Sequence, residues 1–242
     1  WDVSLITDMS NLFFDNTWSG FYNDFNDDIS NWDVSNVTNM MMTFDGAESF
    51  NQDLSGWDVS SVMWMHHMFQ GAEAFEGIGL EYWDVSSVTN MKHMFQNSSW
   101  NGAVHTSPNT SFNGDISNWD VSSVTDMREM LDGAEGFNQD LSGWDVSNVT
   151  NLIMTFRGCK AFEGIGLENW DVSSVTSTHG LFWNCTIFNG DISNWDVSSI
   201  TGLYSDMNNM FHGASSFNQD LSSWVVSGVW QMQGMFRGAD AF

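Results

Sequence analysis

Tryptophan recurs in one local context at Trp1, Trp32, Trp57, Trp83, Trp119, Trp144, Trp170, Trp195 and Trp224, at spacings of 31, 25, 26, 36, 25, 26, 25 and 29 residues. A sustained period near 25 means stacked coils, because a unit that short cannot bury its own apolar face. The stretch 137–161, FNQDLSGWDVSNVTNLIMTFRGCKA, is one such unit, and most of the chain is that stretch written again.

Within the unit, Asn138 to Ser142 alternates in part, which predicts a short strand with Leu141 inward. Trp144-Asp145-Val146 turns the corner. Ser147 has the character of a helix N-cap. Val149, Leu152 and Phe156 then follow at helical spacing, predicting a short helix or 3-10 turn. Gly158 ends it, as a left-handed residue does. The same position holds Gly46, Gly71, Gly133 and Gly238 in other coils, and Asn97 and Asn184 in two more. Asparagine is the next residue to tolerate positive φ, so a backbone reason explains the column.

Stacking turns these positions into ladders. The Trp column, a Phe column (Phe25, Phe50, Phe112, Phe137, Phe188, Phe217, Phe242) and a Met/Leu column (Met40, Met65, Met91, Met127, Leu152, Leu203, Met232) form the expected core. The fold class expected is therefore an α/β repeat. It is a leucine-rich-repeat-like solenoid of about nine coils of 25–26 residues, with a short strand on one face and a short helix or 3-10 turn on the other. At about 4.8 Å per coil it would be a rod roughly 40 Å long.

Residues 1–242 read as a single array with no domain boundary. Coils at Trp32, Trp119 and Trp195 follow Asp-Ile-Ser-Asn; those at Trp57, Trp144 and Trp224 follow Asp-Leu-Ser; those at Trp83 and Trp170 follow Phe-Glu-Gly-Ile-Gly-Leu-Glu. The larger unit is thus a triplet. Insertions fall near 15–24, 98–111 and 204–207. The first carries Trp18, Phe21 and Tyr22, and the second Trp100 and His105. Insertions in repeats usually form loops on one face, often the binding face; folding back to cover core is the equal alternative. Neither end carries a polar capping repeat, the expectation for a segment of a longer array or for ends that meet neighbours.

Charge narrows the partners. Five basic residues against 31 acidic ones give a net charge of −26. That excludes phosphate-neutralising contacts to nucleic acid and adhesion to anionic membranes. No apolar run reaches the roughly 18 residues of a membrane span. With 14 Trp, 19 Phe and 16 Met the chain still has ample core material.

The unit FNxDLSxWDVSxVTxMxxMFxGA resembles the bacterial surface protein 26-residue repeat, a BspA-like branch of leucine-rich repeats. The resemblance runs along nearly the whole chain, departing at Val225-Val226-Ser227 and at Thr178. It implies an extracellular or cell-surface location, with roles in adhesion, surface display and protein contact and no enzyme activity.

Few residues stand apart from the repeat. Asp28, Asp53, Asp115, Asp140, Asp191 and Asp220 form a ladder four residues before Trp, interrupted by Gly79 and Gly166. Calcium is one answer to their mutual repulsion; backbone donors on a solvated acidic face are the favoured one. The Asp after each Trp reads as an Asx-type turn. Cys159 and Cys185 share a column otherwise held by Ala, and two readings stand: a disulfide, or two reduced thiols in a small buried slot. His67 and His93 share another column. Two ligands fall short of a stable metal site, so exposed histidines are the reading there and no metal is expected. Asn109 and Asn97 are sequons, Asn109 the better glycan acceptor. A Thr column (Thr38, Thr89, Thr125, Thr150, Thr176, Thr201) suggests an ice-binding face, but its place after Ser147-type caps assigns it to a first helical turn.

The chain is therefore expected to be a non-enzymatic extracellular structural or adhesive protein, the body of a fibre or surface assembly. Its partners would be copies of itself or neighbouring repeats end to end. The alternative is a module that captures a glycan or protein through its insertions and acidic strand face.

Overall fold

The computed structural model describes residues 1–14, 24–97, 99–100, 105–106, 112–201 and 206–242. The coils stack, but they are built from turns. Among the described residues the regular elements are two 3-10 turns, Leu80–Tyr82 and Leu167–Asn169, and two strands, β1 (Ser99–Trp100) and β2 (His105–Thr106). The expected α/β solenoid with a strand face and a helix face is not what forms.

The physical reason lies in where the backbone N–H groups go. In the coil of Trp144, reverse turns close from Trp144 to Leu141, Val149 to Val146, Thr155 to Leu152, Arg157 to Met154, Cys159 to Phe156 and Phe162 to Cys159. Between turns, Leu152, Met154, Phe156 and Gly158 donate to carbonyls of Ser177, His179, Leu181 and Trp183 in the next coil. An α-helix would need those N–H groups for its own carbonyls four residues back. Closely spaced turns likewise leave one residue per coil for parallel pairing: Asp8, Asn39, Trp64, Asn90, Asp126, Asn151 and Ser177 bridge in succession.

Two columns adopt left-handed backbone. The expected one is confirmed at Gly46, Gly71, Gly133, Gly158, Gly238 and Asn184, with Gly158 at φ 76°. The second was invisible in the sequence: Asn11, Met42, His67, His93, Glu129, Met154, Gly180, Asn209 and Gly234, with Met154 at φ 53°. A positive φ at the third position of the Leu152–Thr155 turn is what a type II geometry uses.

One hydrophobic cluster runs from Val3 to Met235. Neighbouring indoles stack at 6.2–6.5 Å, nearly parallel, in Trp57–Trp83, Trp83–Trp119, Trp144–Trp170 and Trp170–Trp195. Each indole N–H has a buried partner one coil back: Trp144 donates to Ile116 at 3.0 Å, Trp170 to Leu141 at 3.2 Å. The Phe column interleaves with a second, giving pairs such as Phe156–Phe162 at 4.4 Å and Phe182–Phe188 at 3.8 Å. Near-parallel ring stacking of this kind adds stability beyond apolar burial itself.

The third insertion sits earlier than expected. Asp206 and Met207 already hold the repeat's register, since Thr178 donates to the Asp206 carbonyl and Met207 is buried in the Met/Leu column. Leu203 lies outside the described residues.

Candidate interaction faces

The aspartate columns are consumed by the backbone. Asp140 Oδ1 accepts the Ser142 N–H at 2.8 Å, and the other five residues of that ladder do the same two residues on. The Asp after Trp repeats the device: Asp145 Oδ1 accepts from Ser147 at 3.0 Å. Ser147 is therefore a donor to an Asx turn, not a helix cap. In Asp58 and Asp84 the serine hydroxyl donates as well. These bonds favour the charged carboxylate and hold Asp58, Asp140 and Asp145 below the ordinary range. The two gaps in the ladder have a steric cause: Gly79 and Gly166 have φ of 92° and 91°, and a Cβ there would overlap the backbone of Ser55 and Ser142.

The histidines are not exposed. His67 and His93 are half-buried and stack at 4.4 Å. Their Nδ1 atoms meet the side-chain oxygens of Gln70 and Gln96. Gln70 donates to Gln96 at 2.8 Å, and Gln96 to Glu129 at 2.6 Å. Arg157 closes the run on Asp132. A polar ribbon thus climbs several coils beside the Phe columns. Burial, first of all, pushes His93 down to about 3 and raises Asp45 to about 7. Sequence reasoning missed this ribbon because its members change chemistry from coil to coil.

Cys159 and Cys185 are buried and free, the second of the two readings. Each thiol donates one coil back, Cys159 to Leu131 at 3.2 Å and Cys185 to Phe156 at 2.8 Å. Burial pushes both thiols far above the ordinary value.

The predicted binding residues divide. Trp18, Phe21, Tyr22 and Asn109 lie outside the described residues. The backbones of Trp100 and His105 pair in the antiparallel register of β1 and β2. Asn97 is buried, a poor place for a glycan, and its N–H donates to the Asp132 carbonyl at 2.8 Å. Among the described residues no group of three or more His, Cys, Asp or Glu is placed to hold a metal ion. The Thr column lies in no helix; Thr150 and Thr176 are exposed and donate to the Thr carbonyl one coil back at 3.1 and 3.0 Å.

Apolar surface is exposed among the described residues in two settings that bear on binding. At the first coil a groove of about 500 Å³ is lined by Val3, Met9, Phe13, Phe25 and Trp32 among others. At the last, one of about 450 Å³ is lined by Trp224, Val226, Met232, Phe236 and Phe242 among others. The second setting is local: Met63 and Trp64 are 40% and 43% exposed in mid-array, where the other coils carry mainly Thr and Asn.

No curated protein matches the sequence. Among solved structures, the crystal structure of a TLR13–ssRNA13 complex shares 8% identity, covering 85% of this chain and 41% of that chain, at a TM-score of 0.16. A likeness that low carries no argument. The family comparison is decisive: residues 1–107, 106–165 and 150–242 each match one family, so the tandem repeat is shown and this chain belongs to the family described as "Mycoplasma protein of unknown function, DUF285".

Proposed function

We propose that this chain is a non-enzymatic structural array of the BspA-like repeat kind, displayed outside the cell and extended by stacking further coils on its two end faces. One observation carries the reading. The columns that line the groove at the first coil (Val3, Met9, Phe13) are the columns that line the groove at the last (Val226, Met232, Phe236), and every interior coil packs them against a neighbour on both sides, as Val146, Leu152 and Phe156 are packed. The end faces are therefore the two halves of a contact the chain makes repeatedly within itself. Another coil of the same repeat, in the same chain or in a second copy, fits either one. Head-to-tail contacts of this type grow into filaments when they do not close. The consumption of the aspartate columns by backbone N–H groups supports a structural role for the repeat over a chemical one.

The net charge of −26 opposes association and salt screens it. Sedimentation velocity and electron microscopy across protein and salt concentration test the reading. Concentration-dependent rods that lengthen with salt are expected, and Phe13→Glu combined with Phe236→Glu should return the protein to monomers. A monomer at every concentration in high salt would overturn it.

A further inference from the structure

We propose that Trp64 is a stacking platform for a neutral glycan, independent of the end faces. The coil of Trp57 departs from its neighbours at two adjacent positions. Met63 lies between Thr38 and Thr89, accepting the Thr89 N–H at 3.2 Å and donating to the Thr38 carbonyl at 3.0 Å. Trp64 bridges to Asn39 on one side and Asn90 on the other. An indole thus occupies a position where the next coils in both directions present amides. Nothing in the fold requires it, since the interior coils are held by Asn90, Asp126 and Asn151 at the same place. Trp64 is 43% exposed and stands outside the hydrophobic core cluster, an arrangement that leaves apolar surface in water.

Its surroundings choose the ligand. Asn90 Oδ1 is engaged by the Lys92 N–H at 3.0 Å, while its Nδ2 and the exposed Thr89 hydroxyl have no partner among the described residues. On the other side Asn39 Nδ2 donates to Asp8. The platform is therefore an aromatic ring flanked along the stack by donors and acceptors. A pyranose has the matching shape: a face of C–H groups that sit on the electron-rich face of indole, ringed by hydroxyls that take hydrogen bonds. A protein hot spot instead needs an anchor pocket closed off from water, and this ring stands on an open polar column. The charge of −26 excludes acidic glycans and leaves neutral ones unopposed. Backbone pairing on both sides holds the Trp64 main chain in place, so little order is lost on binding.

Purified wild-type protein and Trp64→Ala should be compared on an array of neutral and acidic glycans, with affinities for hits measured by calorimetry. Neutral glycans should bind the wild type and lose about tenfold or more in Trp64→Ala. Trp64→Phe should keep part of the affinity, and Thr89→Val should weaken it with unchanged melting. Because Trp64 is half-exposed, the variants fold, and circular dichroism checks that. Absence of any neutral hit, binding equal in Trp64→Ala, binding restricted to acidic glycans, or peptide ligands selected on Trp64 with no glycan bound would each overturn the proposal.

Discussion

Arg157 grips Asp132 with two side-chain nitrogens. Its Nε donates to Oδ1 at 2.7 Å and its Nη2 to Oδ2. The pair spans two coils and is almost wholly buried, Asp132 at 1% and Arg157 at 9% exposure. Glu129 lies 3.9 Å from the same guanidinium. Removing one member strands the other in a dry setting, so Asp132→Asn should destabilise by about 3–5 kcal/mol. Replacing both, as Asp132→Leu with Arg157→Met, should cost clearly less than the sum of the single changes. A double-mutant cycle in urea reads the difference; additive losses would show that the pair is not coupled.

The glycines predict unequal costs. At Gly166 the backbone is left-handed and a Cβ overlaps Ser142, whose own N–H is tied to Asp140. Gly166→Ala and Gly79→Ala should therefore each cost about 3 kcal/mol or more. At Gly180 the φ is +59°, but the close atom is the flexible Met154 Cγ at 3.1 Å. Other coils carry Met, His or Glu at that position. Gly180→Ala should cost only about 1 kcal/mol. Denaturant midpoints for the three variants give the ranking, and equal losses would contradict it.

What could be read in advance follows from this contrast. Gly158 and the Trp and Phe columns were legible because one residue type answers one recurring need: positive φ, an indole N–H over a carbonyl, a ring over a ring. The strand at Asn138–Ser142 and the helix after Ser147 were misread. Alternation and a spacing of three or four arise equally well from consecutive turns whose N–H groups alternate between their own coil and the next. Nothing in Met154 or His67 announces a left-handed backbone. The candidate platform at Trp64 was written in the sequence as a break in the Asn column, but became visible only once the bridges showed that Asn39 and Asn90 flank it.

The cysteines give a prediction with a small magnitude. Ala47, Ala134 and Ala214 fill the same slot in other coils, so Cys159→Ala should change stability by only about 1 kcal/mol. Burial keeps both thiols protonated and covered. A thiol-reactive dye should therefore label neither in the native protein and both after unfolding in denaturant. Rapid labelling of the folded chain would contradict the buried slot.

Acid should weaken the array through its imidazoles. His93 is held down to about 3, chiefly by burial and then by His67 and Lys92, whereas an unfolded chain protonates its histidines near 6.5. The folded state thus refuses a proton that the unfolded state takes. The stability from a neutral His93 is whole above about pH 6.5 and is lost as pH falls toward about 3. His66, His67, His179 and His212 are shifted the same way. Asp45 has the opposite sign: raised to about 7 by burial, it keeps its proton in the fold and adds stability as pH drops from about 7 toward 4. Melting temperatures measured from neutral pH down to about 4 should separate the two. His93→Gln should flatten the fall, because the variant has no proton to take up at that site. Asp45→Asn should steepen it, because the opposing gain is gone. A slope unchanged by His93→Gln would show that this imidazole titrates freely in the folded chain.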